Sequence, residues 1–599
     1  MYDKISVTVK TLYKRISWPL EQVLFPLVLL LWPLVKVCVG ADVSDSTYSL
    51  GNYMYPDKLQ GMWLVSTYLS NGIGSILVRL PGGNTLVGAN IYMGLVVSAI
   101  ALICYYALKK DFSAPILFAG EYAAIAFCWI PTGILYNYMS YLMFTLGAVL
   151  LYMAIRDERD YLYALAGIVL GLNVFVRIPN VTQALLIVTV WATAVWKIRY
   201  TSKDTKAGAA ALQSTGYCIL GYVVGVLVPF CLVVARFGID GFADRITEMF
   251  AISGTDDTYT TFSMITSVVS AYVRSFKWIA IIAAVIFMGT LMFAAFNKEG
   301  ILKWIKRGVY ILVVGVMLRF FWGRGMFTFK YYEDYTAMFE WGMIILLLAW
   351  ICAITVLARR DYNILVKTLA TIVLVVLIVT PLGSNNFTCQ NLNNMFLVMP
   401  FVLYVTGGWL HRGAHKMRMN GLLYGCNFPW MSMLLIVFTV TYIQITGFHT
   451  QFVFRDGMDG TLRDVKVSGV PSLEGIYTTA DNAASIEGLY AAIPADVTSA
   501  VFWGDCPGLS YILRMSPAIS STWPDLDSYP TDEFDEQLLK LGMSDEYDNS
   551  VIIIRKLPEP SGINGAVKQD ILQDYIVCNH MSQIFENDEY IVYRPNAEK

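Results

Sequence analysis

The chain is poor in charge. Asp, Glu, Lys and Arg make up only 15% of its 599 residues, against about 25% in an ordinary soluble protein. That is too few to coat a soluble surface of this size. Histidine is scarcer still, with four in all (His411, His415, His449 and His580). No H-E-x-x-H occurs, so a zinc protease is unsupported. The ten Cys are scattered, mostly inside apolar runs where they pack as small apolar groups, so a disulfide scaffold is excluded. Cys389, Cys506 and Cys578 are the exceptions, and the spacing permits a Cys506–Cys578 bridge without requiring it. The glycine-rich loop of an ATPase is absent.

What the chain has in quantity is apolar sequence: 56% hydrophobic residues and a mean hydropathy of +0.54. This excludes disorder and points to an integral membrane protein. A spanning helix needs about 20 mostly apolar residues. Windows of that length predict thirteen spans, near 20–41, 87–108, 114–135, 137–155, 161–177, 179–198, 214–236, 277–297, 308–323, 340–358, 363–382, 395–411 and 428–448. Basic clusters fall in every second connection: Lys4 to Arg15, Lys109-Lys110, Arg156 with Arg159, Lys197 to Lys206, Lys298 to Arg307, Arg359-Arg360, and Arg412 with Lys416. Such clusters mark the cytoplasmic side. The N-terminus is therefore expected inside and the tail outside, in the plasma membrane.

Charge divides the chain again. Residues 450–599 hold 24 acidic and 10 basic side chains, whereas 1–449 hold 21 acidic and 33 basic. A basic apolar body and an acidic polar tail read as two domains in different solvents. The basic residues sit in short loops rather than on one face, which argues against nucleic acid. The tail shows strand-length apolar runs at 500–503, 551–554 and 590–593, with helical stretches near 481–493, 532–541 and 566–579. Asp481 and Asp532 are expected N-caps, and the alternation predicts a small α/β domain. Among the outer connections, 42–86 and 237–276 are long, and long structured loops usually carry function. In the first, Met62 to Pro81 reads as an interfacial helix with Trp63, Tyr68 and Arg79 at headgroup depth.

The first outer loop opens with Gly40-Ala41-Asp42-Val43-Ser44-Asp45-Ser46-Thr47-Tyr48. Two carboxylates at the water–lipid boundary suit a general base or a divalent cation; the plain alternative is that they end a helix. Arg177, at the outer end of an apolar helix, presents a planar fork suited to phosphate, or it snorkels to headgroups. Arg319, Arg324 and Lys330 form a second cationic cluster around Phe320-Phe321-Trp322, which suits phosphate or, more simply, anchors to lipid headgroups. The turn Gly383-Ser384-Asn385-Asn386 offers amides to sugar hydroxyls, or simply caps a helix. The pairs Asp256-Asp257 and Glu333-Asp334 read as solvated loops.

A span, then an outer loop with an acidic motif before Tyr48, then an interfacial helix, resembles the GT-C glycosyltransferase superfamily. Protein O-mannosyltransferases and lipid A aminoarabinose transferases are members. Leu135-Tyr136-Asn137-Tyr138-Met139-Ser140-Tyr141 and Phe175-Val176-Arg177-Ile178-Pro179 are similar to further segments of it. Ser46 stands where a second acidic residue often sits, leaving open whether Asp42 or Asp45 is the matching position; Asp45 is preferred.

The resemblance implies transfer of a sugar from a polyprenyl-phosphate donor to a glycan, lipid or protein acceptor on the outer face. Asp45 and Asp42 would be catalytic, with Arg177, Arg324, Arg319 and Lys330 on the donor phosphate. Tyr48, Asn137, Asn385 and Asn386 would contact substrate. The expected fold is a polytopic α-helical membrane protein with a transmembrane domain (1–449) and an extracytoplasmic α/β domain (450–599). A transporter or flippase, or an inactive envelope-assembly protein, are the rival classes. Midplane polar sites of the transporter kind are not what the outer-end clustering suggests.

Overall fold

The computed structural model describes residues 16–59, 61–129, 135–200, 206–255, 261–295, 301–332, 334–384, 386–419, 421–456, 461–526, 529–556 and 562–596. Asn385, Asp256, Asp257, Glu333, Lys203, Lys298 and the basic cluster from Lys4 to Arg15 lie outside them.

The body is helical, and helices underlie the windows read from the sequence. Among the described residues, eight are long and apolar enough to cross a membrane, from Ile16–Leu34 to Cys426–Gln451. Three more, Ala114–Phe127, Asp160–Val176 and Ile364–Val379, are apolar but shorter. Caps set several starts: the Thr85 hydroxyl accepts from Gly88 N–H and the Asn363 amide from Val366 N–H, each serving a donor that the first helical turn leaves unpaired.

The stretch 237–276, expected as an outer loop, is largely helical. Helix Ala207–Thr255 breaks its direction at Gly238, whose φ of 76° suits glycine, and helix Thr261–Ala295 follows. The polar residues of 239–255 lowered the hydropathy without breaking the helical repeat. Around the break, Phe230 and Phe242 pack edge to face at 5.2 Å, near Val65, Phe175 and Val233. The interfacial helix expected over Met62–Pro81 is two helices, Gly61–Ser66 and Tyr68–Leu77, parted at Thr67.

The tail carries strands β1 (Val465–Lys466), β2 (Tyr477–Thr478), β3 (Ser499–Trp503), β4 (Ser516–Pro517), β5 (Ser550–Arg555), β6 (Ser582–Glu586) and β7 (Tyr590–Arg594). Five form one sheet in the order β4-β3-β5-β7-β6, parallel from β4 to β5 and antiparallel beyond. Helices Ala480–Ala492, Thr531–Gly542 and Gly562–Cys578 lie within a few residues of their expected positions. Their caps differ: Thr479, whose hydroxyl accepts from Asn482 N–H, and Pro530 precede the first turns, so Asp481 and Asp532 sit inside them. There they still favour the helix N-terminus electrostatically. The Cys506–Cys578 bridge is not formed: both thiols are free, Cys506 buried just after β3 and Cys578 exposed. His449 is fully buried, its Nε2 2.9 Å from the Trp32 carbonyl and its ring 4.5 Å from the Trp32 ring.

The loop that follows the first apolar helix and the tail share one core. Ala41, Val43, Leu50 and Tyr53 pack with Leu473, Ile486, Phe502, Leu509 and Tyr511. Backbone bonds stitch the same seam: Tyr477 N–H donates to Cys38 O at 2.8 Å, and Gly40 N–H to Tyr477 O at 2.9 Å. The acidic residues of this region therefore depend on segments from both ends of the chain.

Candidate functional site

Asp42 begins the site. Asp456, fully buried, holds the preceding peptide: its Oδ1 accepts from Ala41 N–H at 3.0 Å and from Thr478 and Asn482 at 2.6 Å, while its Oδ2 pairs with Arg463 at 3.3 Å. Asp42 itself is 4% exposed. Each of its carboxylate oxygens accepts a backbone N–H at 2.8 Å, one from Ser44 and one from Ser46. These are the donors that the start of helix Asp45–Met54 leaves unpaired. Burial, with Asp45 close by, pushes its carboxyl up to about 7 against the pull of those N–H groups.

Asp45 occupies the first turn of that helix, and its carboxylate is not spent on its own backbone. It pairs with Arg455 at 3.3 Å and keeps 27% of its side chain exposed. Burial raises its carboxyl, the Arg455 guanidinium pulls it back, and Asp505 raises it again. Arg455 also reaches Asp505 at 3.2 Å and donates to Ser44 Oγ at 2.8 Å, while Ser44 Oγ donates to Asp505 at 2.7 Å. Arg455 (φ 49°) and Asp505 (φ 55°) are both left-handed non-glycine residues. This conformation costs about 1–2 kcal/mol and tends to cluster at functional sites.

Asp505 follows β3 in the sheet. Its N–H donates to Asp525 Oδ2 at 2.7 Å, and Gly508 N–H donates to Val43 O at 2.7 Å. Gly508 is a close approach: a Cβ there would collide with Thr47. Burial raises the Asp525 carboxyl to about 6, and among the described residues its Oδ1 is buried without a partner.

From Asp45 the helix leads to Tyr48, which is 8% exposed. Its ring lies 5.1 Å from Trp523 and 6.0 Å from Trp63. Trp63 lies 6.5 Å from Tyr136, and the guanidinium of Arg177 sits 5.7 Å over the Tyr136 ring. An unbroken row of rings thus connects the aspartates with Arg177, which also donates to Gly383 O at 2.5 Å. Arg177 ends helix Asp160–Val176 and opens the 3₁₀ segment Ile178–Ile187. A closed amide network of Asn173, Asn180, Gln183 and Ser140 fixes that corner, with bonds such as Asn180 to Ser140 Oγ at 2.9 Å and Gln183 to Asn180 at 3.0 Å.

Asp42, Asp45, Tyr48 and Arg177 are therefore parts of one contiguous group, with Asn137 half-buried in the turn that carries Tyr136. Arg319, Arg324 and Lys330 stand apart and exposed at the end of helix Ile301–Trp322 and the loop beyond it. Arg324 rests on Phe320 at 5.3 Å, and Lys330 N–H donates to Thr328 Oγ1 at 3.1 Å. Asn386 is exposed, its N–H donating to Ser384 Oγ at 3.3 Å in a turn.

Among the described residues no three His, Cys, Asp or Glu side chains are arranged to hold a metal ion; the Arg455 guanidinium stands between Asp45 and Asp505. Sequence reading missed Arg455, Asp456, Asp505, Asp525 and Trp523. The signal open to it was Trp503-Gly504-Asp505, an acidic turn directly after a buried strand.

No protein-family profile matches the chain, and no curated protein sequence matches it. Two solved structures of similar shape are archaeal oligosaccharyltransferases from Archaeoglobus fulgidus. One is tethered to an acceptor peptide, with 12% identity, TM-score 0.42, and 90% of this chain and 70% of that chain covered. The other, AglB in complex with an inhibitory peptide and a dolichol-phosphate, has 13% identity, TM-score 0.38 and the same coverage.

Proposed function

We propose that this protein transfers a sugar from a polyprenyl-phosphate-linked donor to an acceptor hydroxyl at the outer face of the membrane. The observation that carries the reading is the row of rings from Tyr48 to Tyr136, with a partly exposed carboxylate at one end and Arg177 at the other. Sugar transfer from a lipid phosphate needs this polarity. The acceptor loses a proton while the leaving phosphate gains charge, and preorganised groups at both ends lower the barrier.

In this reading Asp45 takes the proton of the acceptor hydroxyl as its oxygen bonds to the anomeric carbon. The bond from that carbon to the phosphate oxygen breaks, its electron pair goes to the lipid phosphate, and the configuration inverts. Arg177 holds the departing phosphate through its fork. Asp42, both oxygens engaged by backbone N–H groups, positions the helix rather than meeting substrate. Asp505 and Arg455 set the charge around Asp45. The acceptor is a hydroxyl of a glycan, a lipid or a protein.

The test is a transfer assay on purified protein with a panel of polyprenyl-phosphate sugars, comparing the native chain with Asp45→Asn and with the Asp42→Asn/Asp45→Asn double variant. Product from the native chain, and at least about a hundredfold less from Asp45→Asn, is expected. Undiminished transfer by the double variant would remove the proposed base.

A further inference from the structure

The rings between Asp45 and Arg177 come from remote parts of the chain. Tyr48 belongs to helix Asp45–Met54, Trp63 to the next short helix, Tyr136 to the first turn of helix Leu135–Asp157, and Trp523 to a loop of the tail domain. Tyr48 is buried, whereas Trp63, Tyr136 and Trp523 are half-buried and keep part of their surface open. Neighbouring rings are tilted or edge to face, at 78°, 65° and 45°, so they form a stepped wall rather than a stack. None of the three half-buried residues is needed to take a proton or hold a phosphate.

We infer that this wall, with Trp63 at its centre, is the subsite for the sugar ring of the lipid-linked donor. The inference rests on the function proposed above and goes one step beyond it. In such a transfer the anomeric carbon is bonded to the phosphate oxygen and attacked by the acceptor oxygen. The sugar must therefore lie between the group that binds phosphate and the group that takes the acceptor's proton. Here the residues between them are aromatic rings, three of them partly exposed. One face of a pyranose is a patch of C–H bonds, which packs on an aromatic face, while its hydroxyls point outward to polar groups. Tyr and Trp suit such a boundary, because each joins an apolar face to a polar edge. Trp523 extends the wall onto the tail domain, so a sugar seated here would touch both parts of the molecule.

The experiment separates the sugar from its carrier. Binding of polyprenyl monophosphate, and of the same lipid bearing glucose or mannose, is measured by titration to the detergent-solubilised native chain and to Trp63→Ala, Trp63→Phe, Tyr136→Leu and Arg177→Ala. The native chain is expected to prefer at least one sugar-bearing lipid. Trp63→Ala should lose roughly two- to tenfold of that preference, the size of one aromatic contact, with the sugarless lipid bound as before. Trp63→Phe should keep most of the preference, and Tyr136→Leu should lose part of it. Arg177→Ala should weaken both lipids alike. Equal weakening of both lipids by Trp63→Ala, no weakening of either, or a native chain blind to the sugar would overturn the subsite while leaving the donor reading intact. A native chain that binds none of these lipids would end the donor reading and the subsite with it. Melting temperatures of the variants show whether any loss reflects unfolding.

Discussion

The two ends of the aromatic row are built differently. At the acidic end, two loops more than 400 positions apart in sequence interlock: Asp45, Asp505, Ser44 and Arg455 bind one another, and Asp525 and Asp456 hold the backbones that carry them. At the cationic end, Arg177 rests on Tyr136 and, among the described residues, gives one hydrogen bond, to Gly383 O. A guanidinium has five N–H donors, and in the proposed function others of them would meet the donor phosphate. In the proposed function the acidic end takes a proton at one position and gains from being fixed in advance, whereas the cationic end receives and releases a phosphate.

The sharpest way to break this comparison is at the acidic end. Asp45→Asn keeps shape but cannot take a proton, so turnover should fall by about 10²–10⁴, with donor binding and melting temperature unchanged. A retained rate would leave the interlocked aspartates with a structural role only.

Arg177→Ala should weaken binding of a polyprenyl phosphate by about tenfold to a hundredfold, the range for hydrogen bonds to a charged group. Arg177→Lys should lose less, keeping the charge but not the fork. Titration with the lipid reads both. If affinity is unmoved, Arg177 serves the membrane surface and the cationic end has no ligand.

Asp42→Ala should act on stability, costing about 1 kcal/mol through the lost helix cap, read as a lower melting temperature. A pH dependence sharpens this. The folded Asp42 carboxyl holds its proton up to about 7, while an unfolded one loses it near 4. Between those values the native state binds more protons, so its stability should fall as pH rises. In Asp42→Asn that part of the slope should vanish.

Arg455→Met removes the cation that pulls the Asp45 carboxyl down. The acidic limb of the pH–rate profile, where the base must lose its proton to work, should move to higher pH, with the plateau rate little changed. A limb that stays in place would mean that Arg455 acts on something other than Asp45.

The smallest effect is expected from Arg324→Ala. Its exposed side chain rests on Phe320 away from the row, so lipid binding should change less than about twofold, as for most surface substitutions.

Much of this was legible beforehand, where the cause is local. Helical windows and the tail's strands β3, β5 and β7 follow from runs of apolar residues with their own repeat. Asp45 and Arg177 stood out as charges beside hydrocarbon-length runs. The two-residue strands β1, β2 and β4 were not legible, because pairing rather than composition makes them strands. Nor was the helix beyond Gly238, whose charged positions resembled a loop. Arg319, Arg324 and Lys330 had the same composition signal as Arg177, but composition does not report which charge lies near which ring.

By itself the sequence determined which part is apolar over a bilayer's length and which is polar, and apolar content of that length decides where a helix can lie. It also determined which residues had the chemistry to act. Only the tertiary structure decided which of them lie together. Asp45 meets Arg455 and Asp505, and Tyr48 meets Trp523, because the first loop and the tail bury one hydrophobic core between them. That burial is favourable for almost any apolar pairing and carries no signature in the order of residues along the chain.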